Sequence, residues 1–174
     1  MERYQCFGNA KYIKAEESAA AFSLYDPAPI FRKEFVPDKL GKAEIFVQSP
    51  GFAKFYINGH DITEDLFISA LSDYDKILWY NAYDVTHLLN EGKNVISVIA
   101  GNGFFNESFK SAWFYPDAPW RDAPQFCLRL EIDGKTAVVS DGSWKCDKES
   151  SYIIFNHIRS GEYHDMRKKS DGWM

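Results

Sequence analysis

The sequence is short of several features that mark specialised chains. It holds three cysteines in 174 residues, Cys6, Cys127 and Cys146. An odd set with no Cys-x-x-Cys spacing argues against a disulfide framework and against a cysteine zinc site. It fits reduced thiols. Basic charge is also scarce, with 20 Lys and Arg against 25 Asp and Glu and a net charge of −5. A nucleic-acid partner is therefore not expected, because binding requires a basic patch to displace counterions. No run approaches the ~18 apolar residues of a membrane span, so no membrane partner is expected either. The opening residues lack a continuous apolar stretch behind a basic start. No signal peptide is expected, and the localisation implied is cytoplasmic. Helical pattern is nearly absent. The one helical-looking piece, Lys14–Leu24, reads equally well as loop, and Pro27 and Pro29 end it.

Strand signals fill the rest. Hydrophobic residues make up 45% and aromatics 17%, a content that suits strands better than a helical bundle. Phe31–Val36, Ala43–Ser49 and Lys54–Ile57 read as strands, the last closed by the hairpin pair Asn58-Gly59. Ile77–Asp84 reads as another, followed by a helical turn over Asp84–Leu89 capped by Asp84 or Thr86. Val95–Ala100 is apolar on both faces, which predicts a central strand. Residues 101–125 form a long aromatic loop. Phe126–Ile132 then alternates cleanly, with Phe126, Leu128, Leu130 and Ile132 inward. Asp133-Gly134 turns the chain back through Thr136–Ser140. Trp144–Cys146, Ser151–Phe155 and Glu162–Met166 are the last strands expected. Many short strands with frequent turns and no parallel βαβ pattern predict an all-β, antiparallel sandwich or barrel. The expected organisation is a lead-in over 1–28 and a single β-sandwich domain over 29–174.

The order of motifs from Phe55 onward is informative. Phe55–Asp65 (FYINGHDITED), Asp84–Ile96 (DVTHLLNEGKNVI), Gly101-Asn102-Gly103, Pro119–Pro124 (PWRDAP) and Ile158–Asp165 (IRSGEYHD) follow one another. This set resembles the N-terminal β-sandwich domain of bacterial α-L-rhamnosidases, over roughly residues 29–173. The resemblance implies an antiparallel jelly-roll sandwich of the galactose-binding type. It implies a non-catalytic accessory domain that braces an (α/α)6 catalytic barrel, the expected partner. It also allows a part in recognising a rhamnose-containing glycan. A self-sufficient rhamnose-binding module, with calcium as a permitted cofactor, is the alternative. Ala70-Leu71-Ser72 and Phe104-Phe105 replace the family's usual Gly-Trp-Thr and Trp-Tyr, which weakens any sugar role carried over to them.

The residues themselves offer candidates and plain readings side by side. Glycoside hydrolysis needs two placed carboxyl groups, and nothing here places a pair. Asp61, Glu64 and Asp65 read as solvated surface. Asp73 and Asp75 flank Tyr74 and would share a face of an extended segment, for sugar hydrogen bonds or, at Asp73, calcium. Glu162 and Asp165 read as partners of Arg159 or Arg167. His60, His87, His157 and His164 are scattered without metal spacing, and Ser108, Ser111 and Ser160 lack a nucleophile elbow. Residues 104–120 supply Phe104, Phe105, Phe109, Trp113, Phe114, Tyr115 and Trp120. They fit a small core under the loop, a face for the barrel, or a platform for a sugar's C–H face. The candidate ligand-binding set is Asp73, Tyr74, Asn102, Phe104, Trp113, Trp120 and Arg121, the last also a loop clamp through Asp122.

Overall fold

Alternating apolar residues need two sheets to bury them, and the computed structural model supplies two. It describes residues 5–15, 27–66, 68–110, 112–168 and 172–173. Twelve strands form among these residues: β1 (Ile13–Lys14), β2 (Ile30–Phe35), β3 (Ala43–Gln48), β4 (Phe52–Ile57), β5 (His60–Asp61), β6 (Asn81–Asp84), β7 (Asn94–Gly101), β8 (Gln125–Ile132), β9 (Lys135–Val139), β10 (Lys145–Asp147), β11 (Ile153–His157) and β12 (Gly161–His164). The first sheet runs β1-β8-β3-β6, and β9 shares the β1 edge of β8. The second runs β10-β2-β7-β4-β5, and β11 pairs with β12 as a separate hairpin. Every pairing is antiparallel.

The core lies between the two sheets. Ile45, Val47, Leu128 and Leu130 of the first sheet and Phe55, Ile57, Ile96 and Val98 of the second are fully buried. Phe126 meets Phe31 at 5.1 Å, Trp144 at 5.4 Å and Phe55 at 5.7 Å, all edge-on, the arrangement ring quadrupoles favour. Each such side chain contributes roughly 2 kcal/mol by leaving water. The central strand expected at Val95–Ala100 is β7, flanked by β2 and β4. Its second apolar face is covered too. Ile99 packs with Ala28, Ile30 and Ile153 in a separate cluster, joined by Tyr56, Tyr152 and Trp173.

Both expected hairpins form, with Asn58 and Gly59 at φ 52° and 82° and Asp133 and Gly134 at φ 50° and 73°. Positive φ at both central positions matches the twist of the flanking strands. The helical turn is a single 3-10 turn over Thr86–Leu88 with Val85 at the cap position, and Asp84 just before it accepts the Thr86 N–H at 3.0 Å.

Three expectations need correcting. The strand expected over Ile77–Asp84 begins only at Asn81, where its ladder with β3 ends at the Val47–Asn81 pair, one residue short of the end of β3 at Gln48. Before it the apolar residues stay exposed, and the Tyr80 ring leans on Phe7 at 5.8 Å instead of joining a ladder. The lead-in is partly sheet, with Ile13 and Lys14 extending β8 opposite Phe126 and Gln125. Of the helical-looking Lys14–Leu24, residues 16–24 lie outside the described residues. The extended segment expected around Asp73–Asp75 is a turn, closed by the Lys76 and Ile77 N–H groups donating to the Asp73 carbonyl.

Candidate functional site

Register gathers several loops at one end of the sandwich. Val47 faces Asn81, Gln48 faces Cys127 and Phe52 faces Gly101. The end of β3, the starts of β4 and β6, and the crossing from β7 to β8 therefore lie together. Two long connections meet there, residues 62–80 and 102–124.

Rings join these two connections. Tyr74 lies 4.6 Å from Trp120 and 5.3 Å from Phe105. Phe105 stacks on Trp120 at 6.0 Å, and Tyr115 reaches both Trp120 (5.9 Å) and Phe104 (5.8 Å). Phe105 is buried and the other four are half-buried. Burial, then the Tyr115 phenol, pushes the Tyr74 hydroxyl up to about 12, so it stays protonated. The loop tip is different. Trp113 and Phe114 are each 71% exposed, and Phe114 holds a left-handed φ of 55°. Leu66, Leu71, Ile77, Trp79 and Tyr80 are also exposed on the other connection. The loop thus divides into a small core and a bare apolar rim.

Polar groups fix the base of the loop. The Asn102 N–H donates to Asn156 Oδ1 (2.7 Å), and its amide donates to the Asn156 carbonyl (2.9 Å). Its Oδ1 accepts from the Asn106 amide (2.8 Å). Asn102 is thereby spent on holding the loop to β11. Glu107, fully buried, does the same with charge. Its Oε1 accepts from Phe109 N–H at 2.9 Å and lies 2.7 Å from His157 Nε2, while Oε2 takes Arg159 Nε at 3.2 Å. Burial raises its pKa, but the Phe109 N–H, the His157 hydrogen bond and the nearby positive charge outweigh this and hold it below the usual carboxylate range. His157 Nδ1 accepts the Arg159 N–H at 3.2 Å, which leaves Nε2 as the donor to Glu107.

Of the residues singled out from the sequence, Tyr74, Phe104 and Trp120 come together. Asp73 instead makes a surface pair with Lys76 at 2.9 Å. Trp113 stands at the exposed tip. Asp122 pairs with Lys14 at 2.7 Å. Burial lowers the Arg121 pKa, against the pull of the Glu107 charge. Asp61 pairs with Lys54, and Asp165 with Arg167 as expected, which brings Asp165 down to about 2. Glu162 turns to His164 at 2.7 Å, and Arg159 serves Glu107. Among the described residues, no three His, Cys, Asp or Glu side chains converge on a metal-sized space. The Glu107–His157–Arg159 cluster was not foreseen. Its only trace in the sequence is a carboxylate set between Phe105 and Phe109, where burial forces a partner.

A family model for the alpha-L-rhamnosidase N-terminal domain matches residues 38–174. The chain belongs to this family. An α-L-rhamnosidase of Formosa agariphila is 30% identical over 155 residues, covering 84% of this chain and 16% of the relative. The α-L-rhamnosidase structure from Dictyoglumus thermophilum superposes with a TM-score of 0.75 at 29% identity, over 94% of this chain and 19% of that one. The Aspergillus terreus α-L-rhamnosidase gives 0.78 at 25% identity, over 96% and 20%. The rhamnosidase N-terminal domain thus spans at most about a fifth of these relatives. The matched region takes in β3 to β12 and both connections at the loop end.

Proposed function

We propose that this chain is a non-catalytic accessory domain of an α-L-rhamnosidase-like glycoside hydrolase, and that it braces a catalytic barrel through its loop end. The observation that carries this reading is the set of exposed apolar side chains at this end, Trp113 and Phe114 on the loop pinned by Glu107 and Asn102, and Leu71 and Trp79 on the other connection. Exposed aromatic side chains clustered on a rigid support are what a buried interface needs before its partner arrives. Membership of the rhamnosidase N-terminal family, with larger relatives, supplies the kind of partner. The carboxylates support the non-catalytic half. Glu107 is the one fully buried carboxylate among the described residues, and it is consumed by His157 and Arg159. Asp61, Asp73, Glu162 and Asp165 are all in surface pairs. Among the described residues, the groove beside Glu162 is lined by that carboxylate alone, whereas hydrolysis requires a pair. The test is hydrolysis of an aryl α-L-rhamnoside by the 174-residue chain. Release of the aryl group at the buffer rate is expected. Turnover that disappears on replacing one of these carboxylates would overturn the reading.

A further inference from the structure

A second concave site, distinct from the aromatic ring cluster, lies on the outer face of the second sheet, between β4 and the β11–β12 hairpin. The groove encloses about 250 Å3. Its floor is apolar and dry, made by Ala28, Ile99 and Ile153, which are at most 8% exposed. Phe52, Tyr56 and Tyr152 line it with aromatic surface. Lys54 and Glu162 stand at the rim.

The polar groups here are arranged in an informative way. Lys54 gives two of its three protons to Asp61 Oδ2 (2.9 Å) and the Asp65 carbonyl (3.1 Å). Glu162 Oε2 is held by His164. Each rim charge thus has a local hydrogen-bond partner, Asp61 for Lys54 and His164 for Glu162. One ammonium proton and one carboxylate oxygen are left over. Neither the Tyr56 nor the Tyr152 hydroxyl has a hydrogen-bond partner among the described residues, although both side chains pack on the apolar cluster. Burial, then Tyr152, Asp61 and Glu162, pushes the Tyr56 phenol up to about 12, so it remains a donor.

We infer that this groove is a carbohydrate subsite that takes one neutral pyranose ring. Flat apolar surface suits the C–H face of the ring, and unspent donors and acceptors around it suit the hydroxyls. An anionic ligand would meet the Glu162 carboxylate, and a purely apolar one would strand both tyrosine hydroxyls. The inference rests on the accessory-domain reading only in naming sugar as the ligand class.

Amide chemical shifts of the 174-residue chain, titrated with methyl α-L-rhamnoside and separately with methyl β-D-galactoside at tens of millimolar, test it. Saturable shifts are expected at residues 52–56 and 152–156 with at least one of the two. The Tyr56→Phe/Tyr152→Phe double variant keeps both rings, and so the fold, and should bind about fivefold more weakly or worse. Lys135→Ala, at an exposed position of β9 in the other sheet, should leave binding unchanged. Absence of shifts with both glycosides, shifts centred on Tyr74 and Phe104, or unaltered affinity in the double variant would each overturn the assignment. None of these bears on hydrolysis by the chain, so the accessory reading stands or falls separately.

Discussion

A carboxylate with no exposed surface survives only with partners, because the ionised form is costly to desolvate. Glu107 has them from two directions. Phe109 N–H comes from its own loop, and His157 and Arg159 come from β11 and the turn that follows. Removing the carboxylate leaves a buried imidazole donor and a guanidinium without their acceptor. Glu107→Ala should cost about 3 kcal/mol, read from the urea midpoint at neutral pH. The pH dependence follows in sign. The folded-state pKa of Glu107 lies below its ordinary value of 4.5. Its contribution is then complete above that value and fades as pH falls through the depressed one. The acid limb of the stability curve should therefore flatten in Glu107→Gln. An unchanged limb would mean that the ion pair contributes nothing net. This cluster was illegible beforehand because its members are fifty residues apart and only packing brings them together.

At the scale of elements, the sequence is legible where one face is buried and a partner strand is available. β8 alternates from Phe126 to Ile132 because β3 pairs with it through Ile132 and the core lies on one side. β7 reads as central because a second cluster covers Ile99. Ile77 to Trp79 carry the same kind of apolar residues, yet stay out of the sheet because β3, which ends at Gln48, does not extend far enough to face them. The ring cluster was visible as an aromatic excess, and the turn at Asp73 was not, since two of its closing bonds are backbone N–H groups donating to the Asp73 carbonyl. The crossing from β3 to β4 makes the sharpest demand. A Cβ on Gly51 would stand 2.3 Å from the Gly101 carbonyl oxygen and 2.9 Å from that of Asn102. Both obstacles are backbone, so β7 and β4 would have to part. Gly51→Ala should cost about 2 kcal/mol by thermal unfolding and loosen the Asn102–Asn156 bonds, which faster amide exchange at Asn102 would report.

The whole molecule has a finished core and an unfinished end. Two five-stranded sheets close on one hydrophobic cluster, and the β11–β12 hairpin covers the outer face of one of them. Among the described residues, the loop end gathers the largest share of the exposed large apolar side chains, Leu66, Leu71, Ile77, Trp79, Tyr80, Trp113 and Phe114. Such a surface is costly in a free domain and useful in a docked one. The accessory role therefore makes its most direct prediction about that end. Amide hydrogen exchange over residues 68–80 and 112–120 can be compared between the 174-residue chain and the same domain within a full-length α-L-rhamnosidase. Docking predicts at least tenfold greater protection of both segments in the longer enzyme, with the core strands unchanged. Equal exchange in the two settings would contradict the bracing role.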